Sequence, residues 1–73
     1  MQIDYDPQAD ALYIHFRPGN VDDTQEVNKY IYVDVDENGL PLGLEILFAS
    51  RVLANEELTS VTFNIGHPTP AVP

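Results

Sequence analysis

Alternation with a period of two shapes this chain more than any other feature. In residues 11–16, Leu12, Ile14 and Phe16 fall on one side, with Ala11, Tyr13 and His15 on the other. Residues 30–35 repeat the pattern: Ile31, Val33 and Val35 share a side, and Tyr30, Tyr32 and Asp34 lie opposite. Residues 40–47 set Leu40, Leu42, Leu44 and Ile46 against Pro41, Gly43, Glu45 and Leu47. Successive side chains of a strand point to opposite faces. Each run therefore makes a strand with an aliphatic side and a side of Tyr, His, Asp and Glu. An antiparallel sheet covered on one face carries that signature.

The punctuation between the runs agrees with hairpins. Asp6-Pro7 starts a turn after a short strand holding Ile3 and Tyr5, and the carboxylate of Asp6 or Asp10 is expected to accept N–H groups of that turn. Asp36-Glu37-Asn38-Gly39 fits a type I turn with Gly39 at positive φ. It lacks the twelve-residue spacing and distal bidentate Glu of an EF-hand, so we read it as a turn and not as a calcium loop. Residues 17–24 form a loop with Pro18 and Gly19 as breakers, and residues 25–28 form a short, charged edge strand. Ser50 is placed to cap a helix over 50–57, with Val52 and Leu53 turned to the sheet. So short a helix needs tertiary packing to persist. Residues 60–65 return to alternation, with Val61, Phe63 and Ile65 on one side, and Pro68, Pro70 and Pro73 mark a tail.

The expected fold is α+β: a small antiparallel β-sheet of about four to five strands, with one short helix packed on its aliphatic face. Residues 1–65 make a single domain, and residues 66–73 an extended or disordered Pro-rich tail. The core should consist of Leu12, Ile14, Ile31, Val33, Val35, Leu42, Leu44 and Ile46.

Size and charge then limit what such a sheet can do. A chain of 73 residues buries only about 60% of the surface its unfolded form exposes. It has no cysteine to staple it. Association is a common remedy, so a homo-oligomer, most simply a two-fold dimer, is expected. Acids outnumber bases 12 to 3, a net charge of −9. Nucleic-acid binding needs Lys and Arg to neutralise phosphates, and Arg17, Lys29 and Arg51 are scattered. Anionic membrane surfaces are disfavoured for the same reason, while a basic protein partner suits the charge. The first ten residues lack the basic and apolar regions of a signal peptide, so the cytoplasm is the expected compartment.

Tyr13 and His15 share a strand side, and Tyr32, Asp34 and Glu45 join them if the neighbouring strands pair. That set holds acids, a base and phenolic donors. No Ser, Cys or Thr is placed by a motif as a nucleophile, and no glycine-rich phosphate loop occurs. We assign no catalytic residue and no cofactor. The two readings of this face are a partner or dimer contact, where aromatic residues are favoured, and a small-molecule or enzyme site. No metal site is expected either, because His15 and His67 are the only histidines and zinc needs three or four converging ligands. Glu45 stands in the apolar run Gly-Leu-Glu-Ile-Leu-Phe, where burial would be costly, so it either points to the outer face and meets solvent, Tyr32 or His15, or pairs with Arg17 or Arg51.

Two motifs resemble the YuzE-like family of small bacterial proteins, a domain-of-unknown-function family. Tyr5, Asp6, Asp10, Ala11, Leu12, Tyr13 and Ile14 match its first motif. Asp34, Asp36, Gly39, Gly43, Glu45, Ile46, Leu47, Ala49 and Ser50 match its second, with Leu44 in place of the usual Ile. The resemblance implies a bacterial origin, a compact β-rich fold with a short helix, and a role beside other small proteins, toxin–antitoxin-like pairs among them. It implies no activity. The expected function is a protein–protein interaction module acting as a homodimer, in one version neutralising a small basic toxin. The alternative is a small-molecule binder or enzyme using Tyr13, His15, Tyr32, Asp34 and Glu45.

Overall fold

The alternating runs do become strands. The computed structural model describes residues 1–53, 58 and 60–66. Its elements are β1 (Gln2–Asp6), β2 (Ala11–His15), β3 (Asp23–Asn28), β4 (Ile31–Val35), β5 (Pro41–Leu47) and one short helix, α1 (Ala49–Val52). The strands form a single antiparallel sheet in the order β1-β2-β5-β4-β3. The fold is mostly β, consistent with a small α+β domain.

Each hairpin turn begins with a short polar side chain that satisfies its backbone. Asp6 Oδ1 accepts the N–H groups of Gln8 at 3.0 Å and Ala9 at 3.3 Å. Asn28 Oδ1 does the same for Tyr30 at 2.8 Å and Ile31 at 3.0 Å. Asp36 Oδ1 accepts from Asn38 at 2.9 Å and Leu40 at 3.0 Å, and Gly39 takes φ +81° there. A side chain with a Cβ would be strained at that φ, which is why the turn carries glycine. The hydrogen bonds of Leu40 and Asn38, and the Arg17 guanidinium, hold the Asp36 carboxyl below its usual range.

The register sorts the side chains into cross-strand rows. One aliphatic row runs Ile3–Ile14–Leu44–Val33, and the next runs Tyr5–Leu12–Ile46–Ile31. Burial is uneven between them. Leu12, Ile46 and Ala49 form the buried cluster, with Tyr5, Ile14, Ile31, Leu44, Val52 and Leu58 partly packed against it. Ile14, Leu44 and Val33 stay half-buried. The expected core is thus only partly closed. A helix of four residues is too short to cover a five-stranded face.

Two residues of the alternating aliphatic sides lie outside the core, and Leu42, buried as expected, is buried apart from the main cluster. Phe16 lies beyond the end of β2 and is 39% exposed. Leu40 is exposed in the β4–β5 turn. Leu42 is buried, but away from the Leu12–Ile46 cluster, because the pairing shifts between Asp34 and Val35 and the connecting segment 16–22 folds over it. Phe16 and Arg17 donate N–H groups to the Leu42 carbonyl at 2.8 and 3.3 Å, and Asp22 donates to Val35 at 2.9 Å. A Cβ on Gly19 would lie 2.7 Å from Leu42 Cδ2, so the strap needs glycine to sit this low.

The other corrections concern the C-terminal third. Phe48, not Ser50, occupies the N-cap position, in a left-handed conformation with φ 51°, and Ser50 stands within the first turn of α1. The expected helix residues 54–57 and tail residues 67–73, His67 among them, lie outside the described residues. The alternation at 60–65 does not form a strand: residues 60–66 have no regular structure, and Val61, Phe63 and Ile65 are 64, 77 and 86% exposed. Alternation supplies a strand only when a neighbour offers its backbone groups, and no strand pairs with this segment among the described residues. No helix among them is long and apolar enough to cross a membrane.

Candidate functional site

The face opposite the aliphatic rows is where the polar residues gather. Pairing of β2, β5 and β4 sets Tyr13, Glu45 and Tyr32 in one cross-strand row, flanked by Asp4 on β1 and Glu26 on β3. The adjacent row runs Gln2, His15, Gly43, Asp34 and Thr24. All five residues singled out from the sequence, Tyr13, His15, Tyr32, Asp34 and Glu45, therefore stand on one face. Paired Cβ atoms in such rows are about 5 Å apart, within reach of one another's side chains.

Tyr13 is the residue the fold has shaped most. Its phenol crosses β5 and donates to Asp34 Oδ2 at 2.5 Å. The ring can take that path because the strand beneath it has glycine. A Cβ at position 43 would stand 2.6 Å from two Tyr13 ring carbons. Asp34 Oδ1 accepts a second hydrogen bond, from Thr24 Oγ1 at 2.5 Å. Desolvation, then the Asp34 hydrogen bond and its charge, push the Tyr13 phenol up to about 12. Tyr13 is consequently a neutral hydrogen-bond donor at physiological pH, and neither a base nor a nucleophile.

The remaining members are tied nearby. Tyr32 donates to Glu26 Oε1 at 3.0 Å, which raises its phenol above the usual tyrosine value. His15 Nε2 meets Asp4 Oδ2 at 2.8 Å, and its ring lies 4.4 Å from that of Tyr13. Hydrogen bonds from Gln2 and then His15 hold the Asp4 carboxyl below its usual range. Glu45 is different. Of its two expected placements it takes the outer face, beside Tyr32, and no ion pair with Arg17 or Arg51 forms among the described residues, Arg17 reaching Asp36 at 2.5 Å instead. Glu45 has no hydrogen bond among the described residues, and it lies half-buried between two tyrosines.

The face is shallow. An open groove of about 430 Å³ beside the strap is lined by Tyr13 and His15 with Arg17, Pro18, Gly19 and Leu42, while Tyr32, Asp34 and Glu45 lie outside it. No group of three or more potential metal ligands converges among the described residues. The arrangement can present phenolic, imidazole and carboxylate groups to a broad surface. It does not aim them at one atom.

A second constellation escaped the sequence reading. Asp10, with φ 52°, turns its carboxylate away from its own hairpin. Oδ1 accepts from the Tyr5 hydroxyl at 2.8 Å and from the Ser50 N–H at 3.0 Å, and Oδ2 accepts from Ser50 Oγ at 2.7 Å. The Asp10 carbonyl also accepts the Ala49 N–H at 2.8 Å. The bonds from Ser50 and then Tyr5 hold the Asp10 carboxyl below its usual range. Asp10 thus bonds a partner 40 residues away, and of the two carboxylates expected to accept turn N–H groups it is Asp6 that does so. The pairing of Tyr5, Asp10 and Ser50 clasps the first hairpin to α1. Asp10 is the base within reach of Ser50 Oγ, and with its carboxyl held below the usual range it is a weak one, so we read the clasp as structural. Spacing within the sequence holds no signal for it, but the two motifs containing these residues do.

No curated protein and no solved structure matches the chain. A family model described as a protein of unknown function (DUF2283) matches residues 2–50, from the first residue of β1 to the serine that closes the clasp, and the chain belongs to that family.

Proposed function

We propose that this protein is an interaction module that acts as a homodimer and offers its tyrosine–carboxylate sheet face to a small basic protein. The observation behind the reading is the composition of that face: Asp4, Asp6, Glu26, Asp34 and Glu45 lie on it with His15 as its one ionisable base. Complementary charge speeds encounter and selects partners, and the half-buried Tyr13 and Tyr32 supply rigid contact area at low entropic cost. Glu45 is suited to an incoming Lys or Arg because no protein group occupies it among the described residues. The YuzE-like resemblance fits this reading, since it implies small proteins that accompany others, and an antitoxin-like role is its sharpest version. The enzyme alternative is the weaker one, because Tyr13 is held neutral and the five polar residues share no cavity.

The test is the product of the adjacent gene. A small basic protein, toxic alone and tolerated with this one, should bind with an affinity that falls as salt rises. Glu45→Lys should weaken that binding at least tenfold. Binding that is indifferent to both salt and Glu45→Lys would remove the proposal.

A further inference from the structure

A sheet must bury its apolar face against a second layer. Here α1 and Leu58 pack against the Leu12–Ile46–Ala49 cluster, and Ile14 and Leu44 of the next row join its edge. The neighbouring row, Ile3–Ile14–Leu44–Val33, spans four of the five strands without a charged residue, and it is only partly covered: Ile3 is 39% exposed and Ile14, Leu44 and Val33 are half-buried. We propose that a second copy of this chain covers this row, the two sheets stacking aliphatic face to aliphatic face about a two-fold axis near Leu44. This rests on the homodimer reading above and adds which face carries it.

The distribution of charge selects the face. The whole chain carries −9, yet the acids of β1, β2, β4 and β5 lie on the polar side: Asp4, Asp6, Asp34 and Glu45. Two copies stacked by that side would set like charges against each other, which disfavours self-association there. The aliphatic row has no such penalty. A two-fold axis through Leu44, on the central strand β5, brings Ile14 of one copy near Val33 of the other, so like chemistry meets like across the interface. Stacked sheets sit about 10 Å apart, with inner side chains interdigitated.

Area adds a further element. The row itself is narrow: four strands about 4.8 Å apart give a strip roughly 15–20 Å long. A stable interface needs about 800 Å² per partner. Val61, Phe63 and Ile65 add exposed apolar area beyond that strip, one aromatic alone burying about 150–250 Å². These three side chains alternate, stand almost fully exposed, and follow Leu58, which already touches the aliphatic cluster. In the dimer they lie over the rim of the partner's aliphatic face.

Equilibrium sedimentation of the full chain, with methyl-labelled and unlabelled copies mixed for intermolecular NOEs, tests this. The expected results are twice the 8.2 kDa chain mass and contacts between copies at Leu44, Ile14 and Val33. Phe63→Asp and Ile65→Asp should each raise the dissociation constant about tenfold while leaving the far-ultraviolet spectrum unchanged, since both side chains are exposed in the protomer. Glu45→Lys should leave the dimer intact. The single-chain mass up to several hundred micromolar would overturn the homodimer itself. A dimer with no intermolecular contact at Leu44, or one altered by Glu45→Lys but not by the Asp variants, would overturn the aliphatic face and leave the homodimer standing.

Discussion

Gly43→Ala is a one-methyl perturbation with a worked consequence. The new Cβ would sit 2.6 Å from two Tyr13 ring carbons, too close for any real contact. The ring must swing away or the strand must yield. Swinging away breaks the hydrogen bond to Asp34, and bonds to a charged acceptor contribute about 1.5–3 kcal/mol. Tyr13 is half-buried, so the lower half of that range applies. Yielding in place costs about 1–3 kcal/mol as overpacking. Against either loss, alanine is better than glycine in a strand by roughly 0.5–1 kcal/mol. The net expectation is a loss of about 1–2 kcal/mol, or a fall in Tm of roughly 5–15 °C for a domain of this size. The assay is thermal and urea unfolding of the wild type, Gly43→Ala, Tyr13→Ala and the double variant. Once Tyr13 is removed, Gly43→Ala should be neutral or stabilising, giving a coupling of at least about 1 kcal/mol between the two positions. If Gly43→Ala destabilises equally in both backgrounds, Tyr13 is not what demands glycine there.

Three further outcomes follow from the same geometry. NMR titration of the tyrosine Cζ resonances should show Tyr13 ionising near 12, and Asp34→Asn should return it toward 10; because the raised value means the folded state holds that proton more tightly, its contribution to stability is full below about 10 and lost as pH rises through 12. The lowered carboxyl of Asp10 works in the opposite sense: its contribution is full above the ordinary value of 3.8 and lost as pH falls through the folded value, so Asp10→Asn should lower Tm at neutral pH and flatten its acid limb, with Ser50→Ala giving part of the effect. In the β4–β5 turn, Asp36→Asn keeps the acceptor for Asn38 and Leu40 but loses the charge facing Arg17, so it should lower Tm less than Asp36→Ala; equal losses would mean that the ion pair, not the turn, matters.

Local chemistry was legible and distant pairing was not. Alternation located β2, β4 and β5, and the Asp36–Gly39 turn followed from residue types alone, because both signals act over a few neighbouring residues. The shared face of Tyr13, His15, Tyr32, Asp34 and Glu45 also followed, once adjacent strands were assumed. Neither the Tyr13–Asp34 bond over Gly43 nor the Asp10–Ser50 bond could be read the same way. Each depends on the β2–β5 register, which no local period specifies. The 60–65 segment failed for a related reason: its pattern satisfies a strand, but its backbone has no neighbour among the described residues. Ser50 was misplaced as an N-cap because its hydroxyl is engaged by Asp10.

The strand order β1-β2-β5-β4-β3 has a consequence for a chain made from its N-terminus. The β1–β2 hairpin is complete by His15, but the strand that pairs with the open side of β2 begins only at Pro41. At about 5–20 residues per second, synthesis of residues 16–40 leaves that side open for roughly 1–5 s. A lone two-stranded hairpin is marginally stable, and this one exposes Leu12 and Ile14 until β5 arrives. Asp4, Asp6 and Asp10 crowd the same nascent hairpin with negative charge, which keeps neighbouring nascent chains apart. Once β5 is in place, Asp10 takes up Ser50, so the last residue of the family match is the one that ties α1 to the first hairpin.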